Sequence, residues 1–313
     1  MFGSQIYRRP YAGPQDLQVM LDLLRKRPLG RITDFPGFID LQEMLAVPKI
    51  QFTTQLWFDL HDQLVCFAFL DIDQDSAFLV FEIFPDPKIP ELENQVLKWV
   101  EACIQSTETV AADPFLLDSN TNSENSDRIA LLERLGFRRQ AGGALHLECS
   151  LTGPLMKPEI PAGFTIRPLH GEEEAEDWVR LHRAALGTQN MTREYKLGMM
   201  RTPTYDPQMD LVMVAADGTL TAYCVCFINF EENALSGQSN GYTDPIATHP
   251  DFQRRGLSKA LLLTGLSLLK ARGMLTARLG TSCENIAMIH SAESAGFHII
   301  QKVFYYQKPI HFT

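Results

Sequence analysis

Residues 248–263 read THPDFQRRGLSKALLL, with Gln253, Arg254, Arg255 and Gly256 crowded just ahead of an apolar run of helical spacing. A helix start presents unpaired N–H groups and a partial positive charge, worth about 0.3–1 kcal/mol per anionic contact. Gly256 lets the backbone approach a ligand without a side chain in the way, and the two arginines add charge at the same end. Together these residue types suit a pyrophosphate. The familiar nucleotide loops do not fit. Gly256 precedes Leu257, Ser258 and Lys259 rather than a Lys-Ser/Thr pair closing GxxxxGK[ST], and no GxGxxG occurs.

The elements that must position this cluster can be read from periodicity. YTDPIATHP reads as a strand feeding directly into it. Around it the second half reads as a strand at 164–167, helices across 172–200, and strands at 210–216, 220–230 and 241–248. A helix at 256–272, a strand at 275–281, a helix at 286–295 and final strands to 307 follow. Asp217-Gly218 between two apolar runs signals a hairpin. A meander followed by strand–helix–strand predicts an α/β fold, a mixed sheet with a crossover helix.

The chain says this twice. NSDRIALLERLGF and NIAMIHSAESAGF share Asn125/Asn285, Glu133/Glu293, Gly136/Gly296 and Phe137/Phe297 at one offset. Both halves also open with a strand-like piece, a Pro and an amphipathic helix, so duplication is the reading. LTGPLMKPEIPAG, residues 151–163, reads as a linker, which predicts domains at 1–152 and 164–313 with 153–163 between them. Residues 118–127, DSNTNSENSD, read as a loop interrupting the first half.

IATHPDFQRRGLSKALL resembles the acetyl-CoA motif of the GNAT acetyltransferases, [Gln/Arg]-x-x-Gly-x-[Gly/Ala] after a strand ending in x-Pro. Asn285 and Gly296-Phe297 resemble that family's later asparagine and GF pair. With a degenerate first copy, the whole chain resembles a tandem GNAT protein of the mycothiol synthase kind. The resemblance implies acetyl-CoA as co-substrate, with Gln253, Arg254, Arg255, Gly256, Leu257, Ser258 and Asn285 as cofactor contacts. It also implies that the pantetheine arm lies along backbone at Ile246, Ala247 and Thr248. An N–H near Ile246 would polarise the acetyl carbonyl, and an amine would attack the thioester directly, with no protein nucleophile. Ser258 departs from the usual Gly or Ala. Ala292 stands where the family's general-acid tyrosine is usual, which leaves Tyr305 or Tyr306 as substitutes.

A carboxylate acting through water is the usual base for such an amine. Asp244 lies two and four residues before Ile246 and Thr248 and is expected on the same side of the strand, with Pro245 able to disturb that phase. Glu231 and Glu232 are rivals, and an ordinary turn role for Asp244 stays open. His249 reads as a turn residue and His290 as a helix residue. Asn285 reads equally as a cofactor contact or a helix cap.

In the first half the matching place is FEIFPDPKIPELENQVLKWVEAC. Lys88, Pro90, Glu91 and Glu93 replace the glycine and arginines there, and carboxylates at a helix start repel a pyrophosphate. That half is expected not to bind acetyl-CoA, and to serve as scaffold or to wall a substrate cleft.

Composition bounds the rest. The 313 residues carry a net charge of −10, against a phosphate-neutralising nucleic-acid binder. The acid lies mostly in residues 1–152, which hold 13 basic and 22 acidic residues. That serves solubility first, and leans only faintly toward a cationic acceptor. The six cysteines sit in apolar runs and read as reduced core residues of a cytoplasmic protein. Cys224 and Cys226 share a strand face, but with no matching second pair no metal is expected. No signal peptide or membrane span is read. The expectation is an N-acetyltransferase acting on a primary amine of a small molecule, as monomer or homodimer, with no nucleic-acid or membrane partner. A non-catalytic acyl-CoA sensor is the alternative, and a tandem scaffold for a partner protein a third reading.

Overall fold

The computed structural model describes residues 6–83, 90–107 and 114–311. Lys88 therefore lies outside the described residues, as do the side chains of Pro90 and Glu91. The chain forms two compact units, Met1–Gly143 with Val303–Thr313, and Ala144–Lys302.

The first unit runs β1 (Tyr7–Pro10), α1 (Pro14–Arg25), α2 (Phe38–Met44), α3 (Pro48–Phe52), β2 (Thr54–Phe58), β3 (Leu64–Ile72), β4 (Ser76–Ile83), α4 (Pro90–Gln105), β5 (Phe115–Asn122), α5 (Ser126–Arg134) and β6 (Arg138–Arg139). β1 to β4 are antiparallel neighbours, and β4 then pairs in parallel with β5 at Ser76–Phe78. The last place in its sheet is taken by residues 303–310, antiparallel to β5.

The second unit runs β7 (Ala144–Ser150), β8 (Phe164–Pro168), α6 (Ala175–Leu186), α7 (Arg193–Met200), β9 (Asp210–Ala215), β10 (Leu220–Phe227), α8 (Phe230–Ser236), β11 (Asn240–Thr248), α9 (Leu257–Ala271), β12 (Thr276–Ser282) and α10 (Ile286–Ser294). The chain closes with β13 (His298–Ile310). β8 to β11 are antiparallel, β11 and β12 parallel, and β12 pairs antiparallel with β7.

Both units thus share one strand plan, the mixed α/β sheet expected. The difference is at the end of each copy. At the repeat offset, 144–150 answer to 304–310, and each unit completes its sheet with the strand carried by the other half of the sequence. The compact units depart from the expected 1–152 and 164–313 by that exchange.

The duplication survives in atomic detail. Asn125 and Asn285 cap α5 and α10 identically, each side-chain oxygen accepting the N–H three residues on at 3.1 Å. Gly136 and Gly296 both take positive φ, 85° and 100°, and Phe137 and Phe297 are both buried. The Asp217-Gly218 hairpin forms, with Gly218 at φ 90°.

Two expectations are corrected. Residues 118–122 are not loop but the second half of β5. Ser119 and Thr121 alternate inward, and the ladder to β13 supplies the backbone partners that polar composition could not signal. The strand read at 220–230 ends at Phe227 and residues 230–236 are helix, because Asn229 accepts the Glu232 N–H and donates back to its carboxylate, a local cap.

In the second unit the sheet separates two cores. Leu261, Leu266 and Leu269 of α9 cover one face against Leu211, Met213, Cys224 and Leu279. Trp178 and Leu181 of α6 cover the other against Val212, Tyr223, Val225 and Ala247. Contact on the α9 side is close. A Cβ on Gly265 would lie 2.6 Å from Cys226 Sγ, so glycine is required there. Cys224 and Cys226 do share that face, Sγ atoms 3.7 Å apart, and the hydrogen bond with the Cys226 thiol, then burial, holds the Cys224 thiol well above its usual range. Of the six free cysteines, Cys103 and Cys283 are only half-buried.

Candidate active site

β11 and β12 pair only at Asn240–Thr276, Gly241–Ala277 and Tyr242–Arg278. Beyond Tyr242 they part. Residues 246–248 are then paired to β10 alone, through Cys224–Ile246, Tyr223–Ala247 and Ala222–Thr248. One edge of β11 is left facing the gap, where a third extended chain has room to pair.

At the end of that edge a 3-10 turn, Pro250–Phe252, leads through Gln253 and Arg254 to α9. His249 belongs to this turn, its Nδ1 accepting the Asp251 N–H at 3.3 Å. Arg254 and Gly256 both have positive φ, 60° and 80°. Ala260 is the first residue whose N–H is returned into the helix, to the Gly256 carbonyl. Among the described residues the amides of 254–259 have no acceptor. Alternating handedness with free N–H groups makes a concave anion nest, and Gly256 leaves it open, with no heavy atom within 4 Å of where a Cβ would stand.

The parted strands and the nest form one groove of about 280 Å³. It brings together Ile246, Ala247, Thr248, Gln253, Arg254, Gly256, Leu257, Ser258 and Asn285 from the sequence reading. Arg255 is not among its lining residues. That guanidinium stacks 5.2 Å from the Phe252 ring centroid and donates to the Asp251 carbonyl. Ser258 is accommodated, its Oγ 2.7 Å from Thr248 Oγ1, so the hydroxyl ties the strand end to the first helical turn. Asn285 caps α10 and lines the groove as well, so its two readings coexist.

Sequence reasoning missed Ala287, Met288 and Ser291, which line the groove from α10. Helical spacing after the Asn285 cap would have found them. Ala185 and Leu186, from the end of α6, come into place only through tertiary packing. His290 is exposed. Ala292 is fully buried in the α9-side core, so that position offers no proton donor and no room for a phenol.

Asp244 requires a correction. The β10–β11 register slips between Cys224–Ile246 and Cys226–Thr243, so 244 and 245 together oppose Val225. The bulge reverses the phase. Ile246 packs against the α9-side core, whereas Asp244 Oδ2 lies 3.0 Å from where a Gly280 Cβ would point and accepts the Gly280 N–H at 3.1 Å. Asp244 thus projects to the face opposite Ile246 and Thr248, at the mouth of the strand gap. Half-buried Arg278 and Glu148 pair there at 3.0 Å. Of the rival carboxylates, Glu232 is buried and receives the Tyr242 hydroxyl. Burial and that carboxylate hold the Tyr242 phenol above its usual range. Tyr305 and Tyr306 belong to the first unit, facing Asn120 and Ser119 of β5 in the ladder. Tyr305 is 40% exposed and Tyr306 is buried.

Deeper on the Asp244 face, Tyr223 OH meets His182 Nδ1 at 2.8 Å beneath Trp178. Burial, with Lys196 nearby, pushes His182 down to about 4, so the imidazole is neutral at pH 7. Lys196 and Asp210 form a fully buried pair at 2.6 Å.

The first unit has the same strand gap, filled. β4 and β5 part after Phe78–Asp118. The buried guanidinium of Arg128 donates to the Phe81 carbonyl of β4 at 2.8 Å and to the Asn120 carbonyl of β5 at 3.3 Å. Beside it Arg27 and Glu82 pair at 2.7 Å, both buried. Glu93, expected to repel an anion, is buried and chelated by Arg134.

Residues 173–297 match the profile of the Acetyltransferase (GNAT) family. Mycothiol acetyltransferase of Thermobispora bispora is 27% identical over 156 residues, 47% of this chain and 50% of the relative. That of Clavibacter michiganensis is 30% identical over 142 residues, 44% of each chain. The chain therefore spans about half the length of the curated relatives it matches. A tandem GNAT protein from the clavulanic acid biosynthesis pathway superposes with TM-score 0.70 at 14% identity, covering 99% of this chain and all of that one. A GCN5-related N-acetyltransferase from Sphaerobacter thermophilus gives 0.69 at 17% identity, over 98% and 96%. At those identities the likeness is one of fold, and it extends through both units.

Proposed function

We propose, from the premise that residues 173–297 are an acetyltransferase domain of the GNAT family on a tandem-GNAT fold, that the protein transfers acetyl from acetyl-CoA to a primary amine of a small molecule. The carrying observation is the continuity of two unsatisfied backbone stretches. The free edge at 246–248 suits the amides of a pantetheine arm, and the unpaired N–H groups of 254–259 suit its pyrophosphate.

The amine nitrogen attacks the thioester carbonyl carbon, the C–N bond forms, the C–S bond breaks and the thiolate leaves to be protonated. Backbone N–H at Ile246 meets the developing oxyanion. Asp244, held by the Gly280 N–H at the mouth of the gap, takes the ammonium proton through water. With Ala292 in the core, the thiolate takes its proton from solvent. The acceptor is a small amine, and the first unit, its gap filled by Arg128, takes no acyl-CoA.

The buried Ala292 favours one second reading, an acyl-CoA-binding protein without turnover. The test is acetyl-CoA consumption against a panel of polyamines, aminoglycosides and amino-sugar thiols, alongside calorimetry. Micromolar binding with amine-dependent release of CoA supports the transferase. Binding without release from any amine supports the sensor, and absence of binding removes both.

A further inference from the structure

The linker between the two copies does not hang free of α9. Lys270, near the C-terminal end of α9, donates to the Gly153 carbonyl, and Leu155 packs against the α9-side core. At the other end Phe164 meets Phe252 edge-on, ring centroids 6.2 Å apart, with Arg255 stacked on the same Phe252. Residues 153–164 therefore run back along α9 toward its N-terminus. Between linker and helix lies a cavity of about 610 Å³, separate from the strand-gap groove but sharing Gly256 and Lys259 with it.

The character of this cavity differs from the nest. Lys157, Arg255 and Lys259 contribute cations, and among the described residues no carboxylate pairs with any of them. Glu159 is the one acid in its lining. In a chain of net charge −10, three unpaired cations around one hollow point to an anionic occupant. The linker wall adds Met156 and Ile160, each 47% exposed, a flexible apolar shelf for a flat ring.

We infer that the linker cavity holds the adenosine 3′-phosphate end of the cofactor, with Met156 and Ile160 against the adenine and Lys157 directed at the 3′-phosphate. The inference rests on the coenzyme A reading of the adjoining nest. It assigns the linker a binding role that Arg255 serves too, since Arg255 lines this cavity and not the groove.

The experiment is calorimetric titration of the full chain with CoA and with dephospho-CoA, which differ only in the 3′-phosphate. The expected result is about tenfold tighter binding of CoA, the scale of one charge-assisted contact. Lys157→Ala should abolish that preference while leaving dephospho-CoA affinity unchanged, and Ile160→Ser should weaken both ligands about equally. Equal affinity of the unmodified chain for the two ligands overturns the inference while the nest reading stands. A preference that persists in Lys157→Ala overturns the assignment to the linker. Binding of neither ligand removes the nest reading and this inference with it.

Discussion

Arg128 and Met288 occupy the same place in the two copies, each three residues after a capping asparagine and each at a strand gap. Met288 lines an open groove, whereas Arg128 spans its gap and satisfies a carbonyl on either side. In the closed copy a buried arginine, with the Arg27–Glu82 pair beside it, stands where the open copy has a methionine.

That difference sets the stoichiometry. Calorimetry on the full chain should give one CoA per chain, and two would show that Arg128 yields to ligand. Arg128→Met should lower stability by roughly 2–4 kcal/mol in denaturant unfolding, because two buried carbonyls lose their donor and Glu82 loses a neighbouring cation.

Gly256→Asp should remove CoA binding by at least a hundredfold without unfolding the chain. The site has space for a Cβ, the φ of 80° costs a non-glycine residue about 1–2 kcal/mol, and the new carboxylate sits in the nest. Wild-type affinity in this variant would mean the anion binds elsewhere.

Asp244→Asn should lower kcat at neutral pH by roughly 100-fold, within the usual range for a lost general base, with little change in acetyl-CoA affinity. Gly280→Ala should do the same in weaker form, since its Cβ would stand 3.0 Å from the carboxylate oxygen it must displace. Unchanged kcat in both would return Asp244 to a structural bulge residue.

His182 predicts a pH dependence of stability. Its folded value, about 4, lies below the unfolded 6.5, so folding favours the neutral ring. The contribution is fully present above about pH 6.5 and is lost as pH falls toward 4. Thermal unfolding between pH 7.5 and 4 should show His182→Gln losing less stability over that window than the unmodified chain. Parallel slopes would remove His182 from the account.

Much of the site was legible because its chemistry is local. Residues 246–258 are one strand end, one turn and one helix start, and their types disclose the anion nest without any long-range contact. The repeat was legible because caps and left-handed glycines depend on a few adjacent residues. Asp244 was misplaced in phase, since a two-residue bulge depends on the register with β10 and not on the alternation along β11.

By itself, then, the sequence determined the two copies, the order of their elements and the helix start that carries the nest, because periodicity and capping act over a few residues. Only the tertiary structure decided which strand completes which sheet, since 144–150 and 303–310 suit the same place and long-range ladders choose between them. It also decided the face on which Asp244 emerges and the closure of the first gap. Both depend on groups tens of residues apart meeting across strands, where no local pattern reaches.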